Sequence, residues 1–128
     1  MPDPDRIDRR LEALWEVARG PGGGADRPAY SSPESEAMLL VAGWAREHGL
    51  DPAVDLHGNL WALPADWRGP VVTAGSHVDT VPDGGRYDGA LGTVLGLELV
   101  ADLAAGDGDR DGAARAGLLV CAAEEAPR

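Results

Sequence analysis

Residues 71–89 leave this chain few ways to fold. Val71-Val72-Thr73-Ala74 is a short apolar, β-branched run that reads as a buried strand, and it delivers His77 and Asp79 just past its C-terminal end. A loop rich in Gly and Pro follows and ends at Asp88, where a long apolar helix begins. A second apolar run, Ala116 to Ala123, ends in the acidic pair Glu124-Glu125. Strand, helix and second strand form one βαβ unit, expected to be right-handed. In open α/β sheets, ligands bind beyond the carboxyl ends of the strands. Imidazole and carboxylates gathered there are the donors a divalent metal such as zinc takes.

Each of these residues has an ordinary explanation when taken singly. A His in a Gly-rich loop is usually just hydrogen-bonded, an Asp before a helix is usually an N-cap, and acidic residues near a chain end are usually solvated. Two successive strand ends carrying them together weaken those explanations, because like charges gather at a cost unless a cation lies between them.

At this point the sequence resembles a known family. Gly75-Ser76-His77-Val78-Asp79-Thr80-Val81-Pro82, then Gly84-Gly85-Arg86-Tyr87-Asp88-Gly89-Ala90-Leu91-Gly92, then Glu124-Glu125 are similar to the dinuclear metal amidohydrolases related to aminoacylases and carboxypeptidases. The short loop Gly84–Gly89 looks like the hydantoinase/carbamoylase branch, which includes N-carbamoyl-L-amino acid hydrolase, allantoate amidohydrolase and β-ureidopropionase. The resemblance runs from about Tyr30 to the last residue.

It implies an α/β fold: part of a three-layer αβα zinc-peptidase-like catalytic domain with a mixed, mainly parallel sheet, the lid or dimerisation domain being absent. Residues 1–128 would be the N-terminal part of that single domain, with 1–30 an N-terminal helix and Gly-rich connector. It further implies two divalent ions (Zn, Mn, Co or Ni), with Asp88 bridging them, His77 on one and Glu125 on the other. Glu124 would be the general base, and Asp79 the carboxylate that fixes the imidazole tautomer. A cis peptide bond after Asp88 is expected, with Gly89 tolerating it. The reaction implied is hydrolysis of a linear amide, ureido or amidine C–N bond in a small-molecule substrate, by a protein that is a homodimer when complete.

The departures from the pattern are specific. The family supplies further ligands downstream, and its usual Gly after the acidic pair is Ala126 here, although Arg128 fits. His77 with Asp88, and Asp88 with Glu125, give two protein ligands per ion where zinc takes three or more. The chain alone is therefore expected to be inactive. Two other readings stay open: an aminoacylase or dipeptidase of the same superfamily, and a truncated α/β module without turnover.

Bulk properties narrow the partners. The 128 residues carry 22 acidic against 11 basic side chains, a net charge of −11, which argues against nucleic acid and anionic membranes. The single Cys121 excludes an internal disulfide and fits a reducing compartment. With no secretory pattern at Met1–Arg6, a cytoplasmic location is the expectation.

The remaining elements follow from periodicity. Residues 5–19 read as an amphipathic helix ended by Gly20-Pro21-Gly22-Gly23-Gly24, taken as a flexible connector. Residues 33–48 read as a second helix with Ser32 as N-cap, Gly49 closing it, and His48 in a last turn that mildly favours a cation. Residues 52–64 read as a hairpin turning at His57-Gly58-Asn59. Gly92 and Gly96, four apart on the long helix, predict close approach of a strand backbone. Asp107, Asp109, Asp111 and Gly112 match half of an EF-hand loop, but Leu118 stands where the bidentate Glu belongs, so a solvated turn is expected.

Overall fold

The computed structural model describes residues 1–106 and 115–125. Three helices, α1 (Pro4–Trp15), α2 (Ser32–Glu47) and α3 (Ala90–Gly106), accompany four strands: β1 (Leu50–Val54), β2 (Leu60–Pro64), β3 (Val71–Ala74) and β4 (Arg115–Val120). The acidic linker lies outside the described residues, as do Ala126 and Arg128.

The strands form one mixed sheet in the order β1-β2-β4-β3. The hairpin dictates antiparallel pairing of β1 with β2, from Leu50↔Pro64 to Val54↔Leu60. β2 pairs antiparallel with β4, and β3 pairs parallel with β4 from Val71↔Arg115 to Ala74↔Leu118. The sheet is thus mixed as expected, but within these four strands the parallel pairing is the β3–β4 contact. The expectation that β3 is buried is corrected: it lies at the sheet edge, paired with β4 on one side, and Val72 is 67% exposed.

Alternate residues Leu60 and Ala62 of β2, and Leu118 and Val120 of β4, meet Leu11, Leu14, Met38, Val41, Val94, Leu97 and Val100 of the helices in one core. α3 packs on β3 and β4, α2 on the hairpin, and both α1 and α2 touch α3. Among the described residues the helices therefore make one layer, so the sheet and one helical layer of the three-layer arrangement are present.

Local sequence explains most boundaries. α2 starts one residue earlier than read, because Ser31 is the N-cap whose side chain accepts from the Glu34 N–H. α1 stops at Trp15 rather than continuing to 19: Arg27 Nη1 donates to the Leu14 carbonyl at 2.8 Å, and Ala18 instead accepts from Asp26 N. The Gly run is not a loose connector. Gly22 N donates to the Asp83 carboxylate at 2.9 Å, and a Cβ on Gly24 would lie 2.4 Å from the Asp83 backbone. On α3, a Cβ on Gly96 would lie 2.8 Å from Gly75 Cα, and one on Gly92 would lie 2.8 Å from Ser76 Cβ. The strand approach read from those two glycines is therefore present, and it sets α3 directly against the end of β3.

Glu98 of α3 is not a solvated charge. It is buried and accepts from Arg6 Nη2 and Arg10 Nη1 of α1, each at 2.6 Å. His48 beside it does not favour a cation: burial, then the Arg10 and Arg6 charges, push its imidazole below the ordinary histidine range.

Candidate metal and hydrolytic centre

The site grows from the parallel β3–β4 pair. Cys121 N donates to Ser76 O at 2.7 Å, which carries the pairing past the ends of both strands, and His77 lies opposite Cys121. His77 is buried. Its Nδ1 is 2.9 Å from the Asp79 backbone carbonyl. A carbonyl only accepts, so this contact assigns a proton to Nδ1 and leaves Nε2 as the ring nitrogen facing the crevice. Nε2 is 3.5 Å from Asp88 Oδ1 and 3.6 Å from Glu124 Oε2.

The fully buried Asp79 touches both the imidazole and the acidic pair. Its carboxylate lies 3.4 Å from His77 Nδ1, while its oxygens accept from the backbone N–H groups of Glu124 (3.3 Å) and Glu125 (2.9 Å). The main chain of Asp79 holds the ring, and its side chain holds the acidic pair.

His77, Glu124 and Glu125 each bring one ligand atom within 4.8 Å of the others, and Asp88 joins this group from the head of α3. The donors suit a hard or borderline divalent cation: one neutral imidazole with carboxylates. Electrostatics agree. The Glu125 carboxyl is drawn above the ordinary range, chiefly by sharing a hydrogen bond with Asp88, then by burial and by the Asp88 and Glu124 charges. A cation among them would relieve that repulsion. All five residues singled out by sequence, His77, Asp79, Asp88, Glu124 and Glu125, thus meet at one sheet end.

The backbone around Asp88 departs from expectation. There is no cis peptide bond among the described residues, so Asp88–Gly89 is trans. What requires Gly89 is its left-handed φ of 72° and its neighbour: a Cβ there would lie 2.6 Å from His77 Cε1. Thr93 Oγ1 also donates to His77 O at 3.1 Å, fixing α3 to the ligand loop.

Sequence reasoning passed over two supports of this centre. Arg27 is buried and donates from Nε to Val78 O at 2.7 Å, and its N–H donates to Thr80 Oγ1 at 2.9 Å. Asn59 accepts from Ala122 N at 2.8 Å. Neither contact leaves a local signal, because each partner lies some fifty or sixty residues away along the chain.

The strand ends of this α/β fold gather a group that could hold a metal ion, and comparison with known proteins narrows the class. No family model matches the sequence. The structure superposes on a hydantoinase/carbamoylase family amidase from Burkholderia ambifaria with a TM-score of 0.84 and 34% identity, over 99% of this chain and 31% of that one. The sequence is 38% identical over 98 residues to the N-carbamoyl-L-amino-acid amidohydrolase of Pseudomonas sp. (strain NS671), covering 75% of this chain and 24% of that protein. It is 33% identical over 95 residues to the allantoate amidohydrolase of Bacillus subtilis (strain 168), covering 73% of this chain and 23% of that protein. The chain is a relative of the hydantoinase/carbamoylase amidohydrolases in both sequence and fold. It spans about a quarter of the length of the curated relatives it matches.

Proposed function

We propose that the chain supplies the water-activating part of an amidohydrolase centre that cleaves a linear C–N bond in an N-carbamoyl amino acid, ureido acid or allantoate-like substrate. The observation that carries this reading is the meeting of His77 Nε2 with Asp88 and Glu124, beside Glu125, at the end of β3 and β4. The relatives' names supply the substrate class. We take residues 1–128 as the N-terminal part of one catalytic domain, within a protein that is cytoplasmic and homodimeric when complete. Among the described residues, no helix is long and apolar enough to cross a membrane.

In this reading His77, Asp88 and Glu125 would hold two divalent ions (Zn, Mn, Co or Ni), whose chemistry when bound would be Lewis-acid polarisation of a carbonyl and acidification of a water. Glu124 is the group left to move the proton. It is half-exposed toward the crevice and tied to the fold through its backbone N–H. As general base it accepts a proton from water while the water oxygen bonds to the carbonyl carbon. It returns that proton to the nitrogen as the C–N bond breaks, so the amine leaves neutral. His77, with Nδ1 held by the Asp79 carbonyl, presents Nε2 as the ring atom available to a metal.

Cobalt(II) titration of this chain, followed by its visible absorption, tests the centre. The expected result is a saturable band that His77→Ala and Asp88→Ala abolish and Glu124→Gln retains. A wild-type chain that develops no band, or a Glu124→Gln chain that alone loses it, overturns the assignment. In the complete protein, Glu124→Gln is expected to lower hydrolysis of N-carbamoyl amino acids by about 10²–10⁴-fold or more.

A further inference from the structure

From the hairpin contact with Ala122, just before the acidic pair, we infer that Asn59 is a positioning residue that fixes the backbone leading into Glu124 and Glu125. The inference rests on the amidohydrolase reading for its functional meaning, although its geometry stands apart from that reading.

The main chain of the turn between β1 and β2 is closed by two bonds: Asp55 N donates to Asn59 O at 3.0 Å, and Gly58 N donates to Asp55 O at 3.1 Å. The Asn59 side chain braces the turn at one end and reaches residue 122 at the other. Its Oδ1 accepts from Ala122 N at 2.8 Å, and its Nδ2 donates to Asp55 Oδ2 at 2.9 Å. This amide has one workable orientation. Exchanging Oδ1 and Nδ2 would face an acceptor with a carboxylate and a donor with an N–H.

Asp55 in turn cannot swing away. It also accepts from His57 N at 2.9 Å, Asn59 N at 3.0 Å and Trp61 Nε1 at 2.9 Å, which accounts for about the four lone-pair sites a carboxylate offers. The Trp61 and Asn59 side chains hold the Asp55 carboxyl well below the ordinary range, so it remains an acceptor. The sequence Asp55-x-x-Gly58-Asn59-x-Trp61 thus encodes a rigid arm ending in one aimed oxygen.

The segment the arm meets needs holding. Ala123 sits at φ 52°, a left-handed conformation disfavoured for a residue with a Cβ. Before it, Cys121 N is held by Ser76 O and Ala122 N by Asn59. After it, Glu124 N and Glu125 N are held by Asp79. Asn59 secures the residue before the strained one, the Glu34 carboxylate accepts from the Ala123 N–H, and Asp79 secures the far side. Release of Asn59 or Asp79 lets the turn relax and carries both Glu side chains with it.

Amide hydrogen exchange by NMR on this chain, paired with cobalt(II) titration, tests the inference with Asn59→Ala and the control Trp61→Phe. The control removes a different donor from Asp55 and leaves the Asn59–Ala122 bond. Asn59→Ala is expected to speed exchange at Ala122, Glu124 and Glu125 at least tenfold over Trp61→Phe, and to weaken cobalt binding about 10–100-fold, as loss of a ligand's support does. Unchanged exchange at those three amides, or equal effects of both variants, overturns the positioning role. If Asn59→Ala does not fold, Asn59→Asp, which keeps an acceptor but loses the donor to Asp55, is read against the same control. A wild-type chain that binds no cobalt would defeat the metal reading, while the exchange comparison would still decide the role of Asn59.

Discussion

Replacing Glu98 with Ala should destabilise this chain more than a typical surface substitution, for a reason visible in its partners. Glu98 is 1% exposed on α3 and accepts from Arg6 Nε (2.8 Å), Arg6 Nη2 (2.6 Å) and Arg10 Nη1 (2.6 Å). Arg6 keeps access to water, but Arg10 is buried, with Glu47 at 3.2 Å as its remaining carboxylate. Removing Glu98 leaves the Arg10 guanidinium under-compensated in a water-poor place. Breaking a buried pair from one side costs about 3–5 kcal/mol. Because Glu47 still reaches Arg10, the lower end, about 3 kcal/mol, is expected. At roughly 4 °C per kcal/mol for a chain of this size, thermal unfolding followed by circular dichroism should fall by about 12 °C. The paired replacement Glu98→Met with Arg10→Met should recover most of the loss, because well-packed apolar groups can substitute for a buried ion pair. A loss below about 1 kcal/mol in Glu98→Ala, the range of an exposed pair, would refute the argument.

Gly96→Ala should lower stability by about 1–3 kcal/mol despite the better helix propensity of Ala, since its Cβ would meet Gly75 Cα at 2.8 Å; urea unfolding checks the sign. His48 is held low in the folded chain, so its contribution is fully present above the ordinary histidine pKa and is lost as pH falls through the lowered folded value. His48→Gln should therefore flatten the fall in Tm between pH 7 and 5. Asp79→Asn should keep His77 protonated at Nδ1, because the main chain fixes that proton, while exchange at Glu124 or Glu125 N–H speeds up; imidazole ¹⁵N shifts showing a tautomer switch with both amides still protected would reverse the assignment.

What the sequence discloses here follows the range of the interaction responsible. The bounds of α2 and the start of α3 agree with their sequence patterns to within a residue or two, because capping and helix propensity act within a turn. The spacing of Gly92 and Gly96 announces a close neighbour without naming it, and that neighbour is Gly75-Ser76. The meeting of His77, Asp79, Asp88, Glu124 and Glu125 at one sheet end is legible because strand ends and a helix start place them. The edge position of β3 is not, because an apolar run looks the same whether one or two strands pair with it. The Gly-rich stretch 20–24 is misread for a related reason. Composition signals flexibility, but the glycines are small so that the Asp83 loop can lie against them. Glu98 reads as one charge on an apolar helix, and only α1 reveals it as buried and paired.

The two-residue spacing of His77 and Asp79 has a consequence that reaches the acidic pair. The Asp79 carbonyl takes Nδ1, while the carboxylate oxygens accept from Glu124 N and Glu125 N, Oδ1 also lying 3.4 Å from Nδ1. One residue therefore sets the ring and the acidic turn in a common frame, with its buried charge satisfied by those N–H groups and offset by nearby Arg27. Arg27 ties Val78 between them to the end of α1. The N-terminal segment thus acts on the centre without contributing a ligand. A shift of α1, whether from loss of Glu98 or of Arg27, should reach the Glu pair through Val78 and Asp79 before it reaches Asp88, which is anchored separately at the head of α3.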